Sequence, residues 1–452
     1  MHPERKEDEN TPRFLYFCVA TINLASFTCG TAFAWSSPSI PRLHEELLHP
    51  PDTTEESLIA SLLAVGSIFS PFLAFISDVI GRKKAVILAT VPIYSSFLLI
   101  AFGTQLWCFF LARFLSGFSI GWYFVIIPNY VAEISEKHNR GRMSCFLVLN
   151  ITLGNLLIYC MGPYLSLLVS SFICLIAPTL LICLMLKYVP ESPYYLMTVD
   201  RKLEAEESLR KLRGLSDVLQ ESEDIQRGIK ATSQSRMTDL FHKRSLIKCL
   251  LITIGLVTFQ QFSGVNAILF YLQTVFLETG SELEPEISSI VVAVVQFTSS
   301  TITPFLVDRL GRKFLLYVSG IGTLISLITL GLFFYLKSNN YSVESLSLMP
   351  ILSLMFFIFS YTVGFGPMPF TILGEIFPQN VKSAASTLTV SISSCFTFIT
   401  TLFFPYLLQL VGFGISMWLF AAFCLVSLFF TYFFVPETKG KSLQEIQKML
   451  NL

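Results

Sequence analysis

Charge is scarce in this chain, and what there is cancels. Only 14% of the 452 residues are charged, with 31 basic residues balancing 31 acidic ones; soluble domains carry roughly 25%. One large water-soluble core is therefore excluded, and a net charge of zero removes the electrostatic reason to bind nucleic acid. Histidine is limited to 5 residues in loops or tails, without metal-ligand spacing. The 10 cysteines form no C-x-x-C pair, and nearly all lie in apolar runs, where a small buried thiol is the ordinary role. There is no H-E-x-x-H motif, and the G-x-S-x-G match Gly117-Phe-Ser-Ile-Gly121 lies inside a long apolar run and not at a strand-to-helix turn. Gly440-Lys441-Ser442 resembles the end of a phosphate loop, but Val435 stands where its first glycine belongs. An enzyme, a bound metal, a cofactor and a nucleotide-driven pump are thus not expected.

What the chain has instead is apolar length. A spanning helix needs about 20 mostly apolar residues. Twelve segments qualify: 14–36, 57–78, 84–103, 106–132, 144–161, 164–188, 246–276, 286–307, 313–337, 348–376, 383–411 and 413–435. They are numbered spans 1 to 12 below. The first is too long for a cleaved signal peptide and reads as a retained span. With the N-terminus inside, only Arg42 and Lys337 fall in outer loops and Arg113 within a span. The other 28 of 31 basic residues lie on the inner side, so both termini are expected in the cytoplasm. The expected divisions are an N-terminal segment 1–13, a six-span half 14–188, a polar loop 189–245, a second half 246–435 and a tail 436–452. Within the loop, Arg201 to Arg213 reads as a helix stopped by Gly214, with Ala205, Leu209 and Leu212 on one face.

The halves repeat. Asp78-Val-Ile-Gly-Arg-Lys83 returns as Asp308-Arg-Leu-Gly-Arg-Lys313, each after the second span of its half. Glu133 and Arg140 return as Glu375 and Lys382 after the fourth, and Pro190-Glu191 as Pro436-Glu437 after the sixth. Parallel repeats of this kind mark a large transporter architecture. Glycine permits a tight turn at the membrane surface, and an arginine there can pair with a carboxylate on a neighbouring helix. Asp78, Arg82, Glu133 and Arg140, with Asp308, Arg312, Glu375 and Lys382, are therefore expected to form a charge latch on the inner side. The plain alternative is that basic loops only fix topology.

Several motifs carry a resemblance. They are Arg113-Phe-Leu-Ser-Gly117, Pro128-Asn-Tyr130 through Ser135, Pro190-Glu-Ser-Pro-Tyr-Tyr-Leu196, Gln260-Gln261-Phe-Ser-Gly264-Val-Asn266, Gly364-Phe-Gly-Pro-Met-Pro369 and Pro436-Glu-Thr-Lys-Gly440. Together they resemble the sugar porter branch of the major facilitator superfamily over essentially the whole chain. Ala34-Trp-Ser-Ser-Pro-Ser39 and Gly374-Glu-Ile-Phe-Pro378 look most like the insect facilitated trehalose transporters and animal facilitative glucose transporters. The resemblance implies an all-α membrane protein of the major facilitator fold. It would have twelve helices in two six-helix pseudo-repeats and a helical cytoplasmic segment between them. It also implies alternating access around a central sugar site, most readily in the plasma membrane. The partners would be a small sugar and the lipid bilayer, with one chain sufficient.

Span 7 is the best site candidate, because amides both donate to and accept from hydroxyls. On a straight helix Gln260 and Asn266 point roughly 120° apart, so a break at Ser263-Gly264 is expected if both face one ligand. The alternative is that these amides bond helix to helix. The resemblance assigns sugar binding to Gln260, Gln261 and Asn266, with Gln296 and Phe370 lining the path. Other positions depart from the family: the usual span-5 glutamine falls on Val148, the span-10 tryptophan on Phe370, the span-11 Asn-Trp pair on Ser393-Ser394, and a span-10 glutamate on Thr362. Gly366, Pro367 and Pro369 are expected to interrupt span 10. Residues 14–43 hold no Asp or Glu, where proton-coupled relatives carry an acid, which predicts uniport. Asn340-Tyr-Ser342 is a glycosylation sequon in an outer loop. The rival readings are a non-transporting sugar sensor, a carrier of a polyol or another metabolite, and a proton symporter.

Overall fold

The computed structural model describes residues 13–136, 140–214, 218–232, 244–280, 283–342, 344–377 and 379–439. Nearly all of these are helical, and no strand occurs among them. Among the described residues, nine stretches are long and apolar enough to cross a membrane. A tenth arises if Thr53–Ser67 and Phe72–Ile80, bent by 47°, form one span. Cys145–Met161 is a shorter apolar helix and is the body of span 5. The last stretch resolves into two spans. Gln379–Phe434 has 56 residues, which at 1.5 Å per residue is about 84 Å, more than twice the ~30 Å apolar thickness of a bilayer. Gly412 breaks it at φ 78° and ψ 168°. The described helices are thus consistent with the twelve expected segments, and the chain is an all-α, multi-pass membrane protein.

Several spans are built of more than one helix. Span 1 is Arg13–Ala34 followed by Ser36–Glu46. Span 7 is Arg244–Phe262, Val265–Phe270 and Leu272–Thr279. Span 10 is Met349–Val363 and Met368–Ile376. The interruptions fall at Trp35, Ser263-Gly264, Tyr271 and 364–367, and those at Ser263-Gly264 and 364–367 coincide with the breaks expected from the sequence. Helix breaks are tolerated in a membrane where neighbouring side chains satisfy the freed backbone groups, and here they do, as described below.

Within the first half, span 1 packs on span 5 and span 4 on spans 2 and 3; within the second, span 11 or 12 packs on spans 7 and 9. Two seams join the halves: span 2 lies along span 11, and span 5 along span 8. The end of the bundle that holds the turns Gly81-Arg82-Lys83 and Gly311-Arg312-Lys313 is here called the basic end.

Three short helices follow span 6: Pro193–Thr198, Lys202–Arg213 and Leu219–Thr232. The second is the helix expected at 201–213. Gly214 stops it in the left-handed conformation at φ 65°, and Ala205, Leu209 and Leu212 are all fully buried. The third was not anticipated. Its signal was a stripe of Val218, Ile225 and Ile229, which packs with Leu209, Tyr194 and Met197. Arg213 fastens this unit to the membrane domain. It donates to the Ile134 carbonyl at the end of span 4 (2.7 Å) and pairs with Glu221 (2.7 Å).

Candidate functional site

The break in span 7 brings together side chains that a straight helix would separate. Ser263 folds back on its own helix, its Oγ donating to the Gln260 carbonyl at 2.7 Å. Gly264 then takes φ 81°, which L residues with a Cβ rarely adopt. Across this corner Asn266 Nδ2 donates to Gln261 Oε1 at 2.6 Å. Gln261 Nε2 donates to Ser393 Oγ of span 11 at 2.8 Å, and Asn266 also reaches Thr397 Oγ1 at 3.4 Å. The result is a mostly buried group of two amides and two hydroxyls.

Gln260 points elsewhere. Its Nε2 donates to the Phe365 and Gly366 carbonyls at 2.8 and 2.9 Å. Those carbonyls lie in the break of span 10, which Ser319 Oγ supports by accepting from Phe365 N at 2.9 Å. The geometry thus pairs Asn266 with Gln261 rather than with Gln260. Gln260 Oε1 is left buried without a hydrogen-bond partner, an acceptor that a hydroxyl could fill. Phe370, on the far side of the same break, is 38% exposed.

A second polar group joins spans 5 and 8. Asn155 Nδ2 donates to Gln296 Oε1 at 3.2 Å, and the hydroxyls of Thr152 and Ser300 are 2.9 Å apart. Asn150 instead bonds back to the Phe146 carbonyl of its own helix. Val148 is exposed.

The basic end carries two matching charge clusters. Arg82 donates to Glu133 through Nε and NH2 at 3.2 and 3.0 Å, and through NH1 to Asp78. Arg312 donates to Glu375 through Nε and NH2 at 3.0 and 2.9 Å. Lys382 Nζ donates to the Gly374 carbonyl at 2.9 Å. The side chains of Arg140 and Asp308 lie outside the described residues. Gly81 and Gly311 turn the chain ahead of these arginines at φ 97° and 89°.

A family model described as "Sugar (and other) transporter" matches residues 11–450. The chain belongs to this family. Among its members, the facilitated trehalose transporter Tret1 of Polypedilum vanderplanki is 33% identical over 97% of this chain and 89% of that one. The Tret1 of Culex quinquefasciatus is 32% identical over 95% and 84%. Of solved structures, the proton:xylose symporter XylE bound to 6-bromo-6-deoxy-D-glucose superposes with a TM-score of 0.80 at 23% identity, covering 98% of this chain and all of that one. An inward-open form of the xylose transporter XylE from E. coli gives the same TM-score over 96% and 99%. These superpositions show the major facilitator fold, and 23% identity leaves the solute open. The protein is a membrane transporter and not an enzyme.

In this sugar transporter family member, two acids outside the expected latch prove to be part of the same construction. Glu191 Oε1 accepts from Arg82 N and Lys83 N at 2.9 and 3.0 Å, the first amides of span 3. Glu437 accepts from Arg312 N and Lys313 N, each at 3.1 Å, at the start of span 9. Their repetition after spans 6 and 12 was visible in the sequence, but their capping role needed the third dimension. Ser192 adds a hydrogen bond from its Oγ to Glu133. Removing such a cap costs about 0.5–2 kcal/mol, and a carboxylate at a helix N-terminus gains further from the dipole. Glu191→Ala therefore lowers the thermal unfolding midpoint of the detergent-solubilised protein, and Glu191→Gln lowers it less. An unchanged midpoint in both would contradict the cap.

Arg113, the cation noted within a span, is deeply buried. Its Nε donates to the Ile59 carbonyl at 2.9 Å and its NH1 to the Ala32 carbonyl at 2.6 Å. The guanidinium lies 5.4 Å from the Trp35 ring. It ties span 4 to the interruption in span 1 and to span 2.

Proposed function

We propose that the protein is a facilitative transporter that moves a hexose or the disaccharide trehalose down its gradient by alternating access. The observation that carries this reading is the buried amide and hydroxyl group at the span-7 break. Gln261, Asn266, Ser393 and Thr397 can exchange hydrogen bonds with one another for hydrogen bonds to a polyhydroxylated solute. Gln260 offers its unpartnered Oε1, Gln296 lines the path from span 8, and Phe370 supplies an apolar wall for a sugar ring face. The names of the Tret1 relatives support the trehalose assignment.

Uniport rests on the residues of span 1. Positions 14–43 contain no carboxylate, and Arg113 is held by carbonyls of the neighbouring spans. The protein sits in the plasma membrane with the basic end in the cytoplasm, as the positive-inside rule requires. Asp78, Arg82, Glu133, Arg140, Asp308, Arg312, Glu375 and Lys382 act there as a latch for one conformation. Asn340, at the opposite end and exposed, carries a glycan; Asn340→Gln then removes a mass shift that a glycosidase also removes, and equal masses reject the assignment.

The deciding test is reconstitution into liposomes with labelled trehalose, glucose and fructose in competition. Saturable uptake of at least one, unaffected by dissipating a proton gradient, is expected. No uptake of any would sink the transport reading, and collapse with the proton gradient would replace uniport by symport.

A further inference from the structure

Each seam between the halves is pinned by a pair of hydroxyls. In one, Ser67 Oγ of span 2 donates to Ser394 Oγ of span 11 at 2.9 Å. In the other, Thr152 of span 5 meets Ser300 of span 8 at 2.9 Å. All four side chains are buried. Each bridge has a companion. Ser391 Oγ donates to the Ile68 carbonyl at the bend of span 2 (3.2 Å), and Asn155 bonds Gln296 (3.2 Å).

The two bridges also correspond in the internal repeat. Thr152 stands 12 residues after Arg140, and Ser394 stands 12 after Lys382. Ser67 precedes Asp78 by 11 and Ser300 precedes Asp308 by 8, a difference of about one helical turn. Chain length places each hydroxyl near the middle of its span.

We propose that the bridges Ser67–Ser394 and Thr152–Ser300 are the pivot on which the halves rock. They stay closed through the cycle while contacts at the span ends part and re-form. This rests on the alternating-access reading above. The physical reason is leverage: in a rigid-body rotation, displacement grows with distance from the axis, so bonds near the middle survive angles that break bonds at the ends. Hydroxyls are short, so each bridge requires two backbones almost in contact and fixes the axis closely. The end away from the basic loops has bonds of the other kind. There Ser36 Oγ donates to the Phe270 carbonyl (3.3 Å), Gln273 N to Ser37 Oγ (3.1 Å) and Gln409 Nε2 to Thr53 Oγ1 (3.0 Å). A solute entering from that side requires those to open.

The bridges are positioning residues for the site. Ser394 follows Ser393, which holds Gln261, and Ser300 lies one turn beyond Gln296. The pivot therefore keeps the binding amides at the axis, where they move least.

A disulfide tests this. The two oxygens lie 2.9 Å apart, and the longer C–S bonds of cysteine bring two sulfurs nearer the roughly 2.05 Å of a disulfide. Ser67→Cys/Ser394→Cys protein is oxidised in liposomes, with each single variant as a control for native Cys395. Sugar uptake within about twofold of the reduced protein supports a pivot, whereas a loss beyond about tenfold, restored by reductant, makes the bridge a lock and overturns the proposal. A pair at the end, Thr53→Cys/Gln409→Cys joined by a short bifunctional thiol reagent, is expected to lose uptake. A second readout needs no transported sugar. Adding Ser37→Cys, buried in the closed end, gives a thiol that an impermeant maleimide reaches only when that end opens. Equal labelling with and without the 67–394 disulfide supports the pivot. Labelling lost on oxidation, or absent even when reduced, overturns it. Failure of the unaltered protein to carry any sugar rejects the transport reading separately.

Discussion

Gln261→Ala cuts the initial rate of sugar uptake into proteoliposomes by about ten- to a hundredfold, with normal delivery to the bilayer. The side chain both donates to Ser393 and accepts from Asn266, and it is 6% exposed. Truncation removes the group best placed to exchange those bonds for sugar hydroxyls. It also leaves Asn266 and Ser393 with unmet hydrogen bonds, each costing about 1–3 kcal/mol when buried, and 1.4 kcal/mol is a factor of ten. The fold loses little, because the bonds given up lie inside the site and not in a helix ladder. Gln260→Ala provides the contrast: its amide fastens the span-10 break, so that variant loses thermal stability as well as uptake. Wild-type uptake by Gln261→Ala protein would remove this residue from the site.

Gly117→Val fails at an earlier stage. A Cβ on residue 117 would lie 1.8 Å from the Leu63 carbonyl oxygen and 2.6 Å from its carbon, both backbone atoms of span 2. No rotamer relieves a clash with backbone, so spans 2 and 4 must separate. Overpacking a tight contact costs about 1–3 kcal/mol or more, and close backbone approach at small residues is what holds membrane helices together. The expected result is loss of the monodisperse peak in detergent chromatography and retention away from the cell surface. Gly366→Ala is the control. Its Cβ would find nothing nearer than 3.4 Å, and it is expected to elute as the parent protein does. If Gly117→Val elutes normally, the packing of span 4 on span 2 is looser than these distances require.

The spans, their pairing into two halves and the break at Gly264 follow from local features: apolar length, repeated motifs and a glycine between amides. The charge clusters also follow, because Arg82 with Glu133 and Arg312 with Glu375 occupy matching places in a repeat. What local reasoning left open is which amides meet. On a straight helix Gln260 and Asn266 are the pair to reconcile, yet the bend at Gly264 turns Asn266 toward Gln261. The angle of a bend is set by what packs around it, and only the fold supplies that. Ser393 and Ser394 read in the sequence as losses from the family pattern. In the folded chain they are bonded, one to Gln261 and the other across the seam to Ser67. Their partners are distant in sequence, so no periodicity could have announced them.

Glu191 and Glu437 also bear on how each half is assembled. Each acid sits just beyond the last span of its half and grips the first amides of the third. The chain of each half is therefore buckled end to middle, like a belt whose tongue passes back through its own loop. A protein cut at Phe434 would keep every span and still lose the second buckle, while one ending after Lys439 would retain it.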